Sequence, residues 1–207
     1  MRRVIYVITV LGVLSIGSSQ VDGWPDFRGP TQDGHADQAG VPLRWSEKEN
    51  VRWKVPIAGV GWSSPVVLGD QVWMTTATAK GHEMSLVSVS LVDGDKIHQR
   101  VVIRNADPAP KHDLNSYASP SPVIEAGRVY AHFGSYGTMC LSTETGEALW
   151  DRRDIRCDHV TGPGSSPFLY GDLLLLHMDG ADVQFVIALD KKTGETRWKT
   201  PRSVDLK

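Results

Sequence analysis

The segment Thr193-Gly194-Glu195-Thr196-Arg197-Trp198-Lys199-Thr200-Pro201 (TGETRWKTP) decides the fold, because it has a near-copy far upstream. That copy is Glu49-Asn50-Val51-Arg52-Trp53-Lys54-Val55-Pro56 (ENVRWKVP), which shares Arg-Trp-Lys-x-Pro but lacks the Thr-Gly turn. A sequence segment that recurs along a chain indicates internal repeats, which have to be identified before single strands are assigned. The glycine turn and the aromatic position recur between the two copies as well.

Three repeats share a Ser-Pro start and a glycine turn that is followed four residues later by an aromatic residue. The starts are Ser64-Pro65, Ser121-Pro122 and Ser166-Pro167. The turn glycines are Gly94, Gly146 and Gly194, and the aromatic residues are His98, Trp150 and Trp198. Counted from Trp53, these aromatic residues follow at intervals of 45, 52 and 48 residues. Such a period is typical of a β-propeller blade of four short strands.

Each repeat has the pattern of four short strands. Runs of β-branched and aromatic residues are bounded by Gly, Asp and Pro, and no long 3.6-residue pattern competes. The turn glycine permits φ > 0, and the large aromatic residue can fill the wedge between neighbouring blades. We therefore predict an all-β fold, a β-propeller of four-stranded antiparallel blades. About three blades are predicted, at about residues 61–104, 116–155 and 162–203.

The predicted ring is incomplete. Residues 50–57 are predicted to be a lone fourth strand, within a propeller segment at 49–207 that follows an extended N-terminal segment at 23–48. Natural rings have about four to eight blades, so three blades leave an open arc with exposed edges. We expect the remaining blades of the ring, or a protein or cell-envelope partner, to cover them.

The first 22 residues are predicted to be a signal peptide. A basic start at 1–3 precedes an apolar run at 4–16 and small residues at 17–20, and the run is too short for a comfortable membrane span. We expect export to the periplasm or outside the cell, without a transmembrane span after cleavage. The net charge of −2 excludes a broad basic field, so nucleic acid is not an expected partner.

The third repeat reads Ala188-x-Asp190-x-x-Thr193-Gly194-x-x-x-Trp198. This pattern resembles the tryptophan-docking motif of the propellers named after pyrroloquinoline quinone, as found in quinoprotein alcohol dehydrogenases. The second repeat has Cys140 and Ser142 at the Ala and Asp positions, and the first has Ser88 and Ser90. The resemblance implies that blades are docked by Trp53, Trp150, Trp198, Gly94, Gly146, Gly194, Ala188 and Asp190.

The stretch Trp24-Pro25-Asp26-Phe27-Arg28-Gly29-Pro30, with Asp33-Gly34, resembles exported quinoprotein-like propeller proteins of planctomycete-type bacteria. The two resemblances together cover residues 24–207.

Two His-Asp pairs fall in loops that the blade pattern places on one face, His112-Asp113 and Asp158-His159. Such residues can bind a metal or act as acid and base, but no ligand spacing supports that role and an exposed rim needs polar loops. Asp179-x-x-Asp182 matches half of a calcium loop, although Asp-Gly is first a hairpin turn. We predict no catalytic, cofactor or metal residue. For Cys140 and Cys157, a disulfide and two buried thiols both stay open.

Three functions are compatible with these residues. The resemblance implies an exported scaffold or a fragment of a quinoprotein dehydrogenase, whose quinone and calcium ligands have no residue-by-residue match here. The third is a surface that binds carbohydrate or peptide, with stacking surfaces on Trp62, Trp73, Tyr117 and Tyr136. Because a fold alone does not confer activity, we favour the non-catalytic scaffold, with no cofactor.

Overall fold

The computed structural model describes residues 23–36 and 40–202, so the predicted signal peptide at 1–22 lies outside the described residues. All regular secondary structure in the described ranges is β-structure, and none of it is a helix long and apolar enough to cross a membrane. Three antiparallel sheets follow one another along the chain, and together they do not close a ring. The prediction of an all-β, incomplete propeller is confirmed.

Each sheet is one blade. Blade I contains β2 (Val66–Leu68), β3 (Gln71–Ala77), β4 (Glu83–Ser90) and β5 (Lys96–Arg104), with the short β1 (Gly23–Trp24) added beside β2. Blade II contains β6 (Val123–Glu125), β7 (Arg128–His132), β8 (Thr138–Ser142) and β9 (Ala148–Arg152). Blade III contains β10 (Phe168–Tyr170), β11 (Leu173–Asp179), β12 (Gln184–Asp190) and β13 (Thr196–Pro201).

The Ser-Pro starts join the first strands of successive blades. The amide of Ser64 donates to Oγ of Ser121 at 2.8 Å, and the amide of Ser121 donates to Oγ of Ser166 at 3.0 Å. The following proline needs no partner, because it has no N–H to donate. Each of the first two repeats therefore donates one hydrogen bond to the next repeat at the same position. These bonds bring the first strands of neighbouring blades together.

The core consists of apolar layers between blades. Trp73, Met84 and Leu86 of blade I pack with Val129 and Met139 of blade II. A second layer joins blade II to blade III and includes Tyr130, Cys140, Leu174, Leu176 and Ile187. Because each blade is buried mainly by its neighbours, the stability of the arc depends on the contacts between sheets.

Residues 50–57 are not a strand, which corrects the expected lone fourth strand. No strand in the described part of the chain pairs with them, so they lack the hydrogen bonds of a ladder. Trp53, Val55 and Ile57 alternate with exposed residues and pack on a third apolar layer, formed by Val72, Val87 and Val89 of blade I. The segment thus keeps the two-residue alternation of a strand and covers the free face of blade I.

The N-terminal segment lies against the first strands of two blades. Gly23 and Trp24 pair with Leu68 and Val67 of β2, and the carbonyl of Pro25 accepts the amide of Ile124 in β6 at 2.9 Å. Beyond this strand the segment turns sharply, since the amide of Gly29 donates to the carbonyl of Asp26. Residues 23–25 therefore make backbone contacts with the first strands of both blades.

His132 is a buried, uncharged residue in this core. Its side chain is 2% exposed, and Nδ1 lies 2.8 Å from Oγ1 of Thr138. Burial lowers the pKa of His132 to about 3, and nearby His159 acts in the same direction. In the unfolded chain a histidine titrates near pH 6.5, so protonation favours unfolding as the pH falls from there towards 3.

We predict that His132→Gln removes part of the acid sensitivity of folding. Between pH 6.5 and pH 5 the free energy of unfolding of the native sequence should fall by about 2 kcal/mol because of His132. The variant should not show this loss. Denaturant unfolding at both pH values measures the difference. Equal losses in the two proteins would contradict an uncharged His132 in the folded state.

Candidate functional site

Two of the predicted docking tryptophans, Trp53 and Trp150, lie on turn glycines. The ring of Trp150 lies on Gly194, and its indole N–H donates to the carbonyl of Lys191 at 3.0 Å. In the same way Trp53 lies on Gly94 and donates to the carbonyl of Leu91 at 3.0 Å. In both contacts the accepting carbonyl belongs to the residue three positions before the glycine.

His98 makes the equivalent contact between blades I and II. Its ring lies on Gly146, and Nε2 is 3.3 Å from the carbonyl of Thr143, again three positions before the glycine. The ring also stacks on Trp73, with 5.5 Å between centroids. An imidazole thus takes the place that tryptophan has in the other two contacts, and the neighbouring indole enlarges the apolar surface around it.

Glycine is required at these turns for two reasons. Gly94, Gly146 and Gly194 have φ of 80°, 69° and 76°, where a side chain strains the backbone. A Cβ at each would also come within 2.8 Å of the docked ring. The turn glycine therefore provides both the turn and the flat surface for the aromatic ring.

Asp190 stabilises the turn, and Ala188 leaves space for the ring. Asp190 Oδ1 accepts the amides of Lys192 and Thr193 at 2.9 and 3.1 Å, and these hydrogen bonds hold the pKa of its carboxyl below the usual value. Ala188 stands opposite Trp198 in the strand register, where a small residue leaves space for the indole. Ser90 and Ser142 accept the corresponding amides in blades I and II, which explains why the motif tolerates serine.

Trp198 differs from the other docking residues. It is 41% exposed, and no turn in the described ranges receives its ring. The sequence predicted a docking tryptophan here. The structure shows the residue in the correct register but without an acceptor, because the turn glycines of all three blades are already covered.

The loops of one face surround a cleft of about 740 Å³ whose wall includes Cys157, His159 and Asp182. Oγ of Ser135 donates to the carbonyl of Cys157 and accepts its amide at 2.9 Å, and Asp182 accepts the amide of Asp158 at 2.6 Å. These bonds tie the loop after blade II to both neighbouring hairpins. The polar groups of Ser135 and Asp182 therefore hold these loops in place.

The Cys157 thiol lies 3.4 Å from Nε2 of His159. Burial raises the pKa of Cys157, and the carboxylates of Asp182, Asp179 and Asp158 raise it further. Burial also lowers the pKa of His159. The pair is therefore a neutral thiol beside a neutral imidazole, the opposite of an activated nucleophile.

The remaining His, Asp and Cys candidates do not converge on a metal centre. No group of three or more His, Cys, Asp or Glu residues able to hold a metal occurs within residues 23–36 and 40–202. His112 is exposed, and its Nδ1 accepts the amide of Leu114 at 3.1 Å. Cys140 and Cys157 are both free, buried thiols, which decides the open question in favour of thiols.

A second cleft, of about 490 Å³, lies between the N-terminal segment and the first strands of blades II and III. Its wall includes Phe27, Arg28, Trp62 and Phe168, with Ser121 and Ser166 from the inter-blade hydrogen bonds. Phe27 and Trp62 are 54% and 66% exposed. We call this the aromatic cleft.

Of the four predicted stacking residues, only Trp62 is widely exposed. Trp73 is fully buried in the first seam, and Tyr117 is buried with its ring edge-on to Tyr136 at 5.8 Å. The sequence did not indicate that Phe27 joins Trp62. The Trp24–Pro30 stretch carried the only signal, and its packing against blades II and III depends on tertiary structure.

A family model of PQQ-like repeats, described as outer membrane protein assembly factor BamB, matches residues 37–200. The chain belongs to this PQQ-like propeller family. No curated protein sequence matches the chain significantly.

Solved structures that are similar to the chain include two dehydrogenases and BamB. A europium-containing methanol dehydrogenase is 16% identical over 68% of this chain and 24% of its own, with a TM-score of 0.51. The quinohemoprotein alcohol dehydrogenase of Comamonas testosteroni is 15% identical over 69% and 21%, with a TM-score of 0.52. BamB from Moraxella catarrhalis is 17% identical over 72% and 51%, with a TM-score of 0.43. The chain thus spans less than a quarter of the length of these dehydrogenases.

The described residues do not fit a bound quinone with calcium. Calcium requires six to eight oxygen ligands, and no acidic cluster of that kind occurs among them. Residues 23–25 of the chain itself lie where the first strands of blades I and II meet.

We predict that Gly94→Ala destabilises the fold more than Gly127→Ala. Both glycines have φ of 80°, so both variants bear the same backbone strain of about 1–2 kcal/mol. Only at Gly94 does the new Cβ meet a docked ring, that of Trp53 at 2.7 Å, whereas nothing lies within 4 Å at Gly127. Denaturant unfolding gives both free energies, and equal values would contradict docking of Trp53.

Proposed function

We propose that this chain is part of an exported, non-catalytic propeller that acts as a binding scaffold for a protein partner in the cell envelope. The aromatic cleft is the observation that carries the proposal. An exposed phenylalanine and an exposed tryptophan flank one concave surface next to a charged Arg28. Aromatic residues and arginine are the residue types that dominate binding energy in protein interfaces.

The composition of the cleft favours binding of an apolar side chain of a partner over catalysis. Its polar groups are mainly serines, and the amide and hydroxyl of Ser121 and the hydroxyl of Ser166 take part in the bonds between blades. It contains one carboxylate, Asp26, whose Oδ1 accepts the amide of Arg28 at 2.8 Å. A general acid and base would need two titratable groups facing one substrate.

The family match also supports a role as a scaffold in the cell envelope. The matching family model carries the description of an outer membrane protein assembly factor, and we extend a comparable envelope role to this chain. The basic-apolar-small order of residues 1–22 supports export to the periplasm or beyond. A fragment of a quinone-dependent dehydrogenase stays an alternative on the fold of its relatives, and carbohydrate stacking on Trp62 stays a second one.

A photo-reactive phenylalanine analogue at position 62 tests the partner. In cells that export the protein, position 62 should cross-link to an envelope protein, and position 45 should not, although Trp45 is also exposed, at 71%. Phe27→Ala should reduce the yield at position 62 severalfold without changing the unfolding midpoint. Equal cross-linking at both positions would contradict a specific cleft.

The two alternatives are tested on the purified protein. Addition of pyrroloquinoline quinone and calcium should leave no bound quinone absorbance after gel filtration, and a glycan array should remain without signal. A retained quinone would move the proposal to the dehydrogenase-like alternative. A glycan signal lost in Trp62→Ala would move it to carbohydrate.

A further inference from the structure

The cleft on the loop face, which we call the loop-face cleft, lies between blades I and II and shares no wall residue with the aromatic cleft. Its wall consists of the end of β5, the connections at 105–110 and 153–163, the hairpin residues Ser135 and Tyr136, and Asp182. Its volume of about 740 Å³ is typical of sites for small molecules, which measure about 300–1,000 Å³.

The wall of the loop-face cleft is fixed by contacts that cross between blades. Nη2 of Arg153 donates to the carbonyl of Val102 in β5 at 2.7 Å, and Nη1 donates to the carbonyl of Tyr136 at 3.2 Å. The ring of Tyr136 packs edge-on against Tyr117, whose hydroxyl donates to the carbonyl of Ala109 at 2.9 Å. Because a preformed wall loses little conformational freedom on binding, the cleft suits a ligand of defined shape.

Arg156 presents an oriented guanidinium group to this cleft. The side chain is exposed, and its Nε donates to the carbonyl of Arg153 at 2.9 Å, which restrains the plane of the group. Within residues 23–36 and 40–202, Nη1 and Nη2 of Arg156 take part in no hydrogen bond or ion pair. Asp154, two residues earlier, is bound instead by Nε and Nη2 of Arg152 at 2.6 and 2.7 Å. The two Nη groups of Arg156 are therefore available to an external anion.

The other two arginines in the wall have carboxylate partners of their own. Arg104 pairs with Glu83 at 3.2 Å, and Arg153 pairs with Asp151 at 2.9 Å. Among the described residues, Arg156 is thus the one arginine of this wall whose charge is not compensated by an ion pair. An anion in the cleft is expected to bind at this side chain.

The donor pair of Arg156 matches a carboxylate. A guanidinium group is planar and always charged, and it can form two parallel hydrogen bonds with the two oxygens of a carboxylate. Asp107, Asp158 and Asp182 lie in the same wall and disfavour a ligand with several negative charges, because like charges repel. A ligand with a single carboxylate therefore fits the charges of the cleft better than a phosphate or a dicarboxylate.

The remainder of the ligand would contact uncharged groups. Pro110, Pro163 and the half-buried ring of Tyr136 provide apolar surface. Burial raises the pKa of the Cys157 thiol and lowers that of the His159 imidazole, so both side chains are neutral. The body that carries the carboxylate should therefore be aromatic or aliphatic and without charge.

We propose that the loop-face cleft binds a monocarboxylate with an apolar body. The two Nη groups of Arg156 donate to the two carboxylate oxygens, and the apolar body lies against Tyr136 and the prolines. A small organic acid and the C-terminus of a peptide with an apolar last residue offer this same chemistry. The site is independent of the proposed scaffold function, because that function rests on the aromatic cleft.

Binding of 3-phenylpropionate to the purified full chain tests the proposal, with saturation-transfer NMR and isothermal titration calorimetry as the measurements. The acid should bind about tenfold or more tighter than 3-phenylpropanamide, which has the same ring but no charge. The dicarboxylate phenylsuccinate should bind more weakly than the acid. N-acetyl-Ala-Phe with a free C-terminus distinguishes the two sources: tighter binding than 3-phenylpropionate indicates a peptide, and weaker binding indicates a small acid.

Variants of Arg156 separate the donor pair from simple charge. Arg156→Gln should remove the preference for the acid over the amide. Arg156→Lys keeps the charge but should bind the acid severalfold more weakly than the native chain, because an ammonium group cannot form two parallel hydrogen bonds. Arg44→Gln, which changes an exposed arginine outside the cleft, should bind as the native chain does. Unfolding midpoints show that each variant is folded.

Several results would overturn the proposal. One is equal affinity of the native chain for the acid and the amide, and another is tighter binding of phenylsuccinate than of 3-phenylpropionate. The same holds if folded Arg156→Gln binds the acid as well as the native chain does. Absence of saturation transfer to 3-phenylpropionate and to the peptide at millimolar concentration would also overturn it.

Discussion

One contact supports the whole arc, an aromatic ring that lies flat on a glycine turn of the neighbouring blade and hydrogen-bonds to the carbonyl three residues earlier. His98 and Trp150 make it in the two seams between blades, and Trp53 makes it on the free face of blade I. The contact combines a half-buried ring with a hydrogen-bonded N–H group, so it contributes apolar burial without leaving that group unpaired. Because the blades share no strand, this contact and the apolar layer around it hold neighbouring sheets together.

The second constraint acts at the first strands of the blades. Serine amides and hydroxyls link one first strand to the next, and residues 23–25 add hydrogen bonds to the inner edges of blades I and II. The inner edges of those blades are thereby occupied by the protein's own backbone. The same segment places Phe27 beside Trp62, so the aromatic cleft is a consequence of how these edges are satisfied.

The polar residues follow from this architecture. The loop face contains a thiol, imidazoles and carboxylates, yet burial raises the pKa of Cys157 and lowers that of His159, so both side chains are neutral. The aromatic cleft, by contrast, presents the exposed aromatic side chains of Phe27 and Trp62.

The sequence by itself determined the blade period, the glycine turns and the aromatic docking positions, because a local turn and a spacing of four residues are written into each repeat. The resemblance included Asp190 in the docking motif, and the structure shows that its carboxylate accepts the amides of Lys192 and Thr193 within its own turn. Only the tertiary structure decided which docking ring has an acceptor. Trp150 and Trp198 have the same local motif, and one is docked while the other is exposed, because the acceptor belongs to a different blade. The packing of residues 23–36 and 50–57 was undetermined for the same reason, since their partners lie far away along the chain.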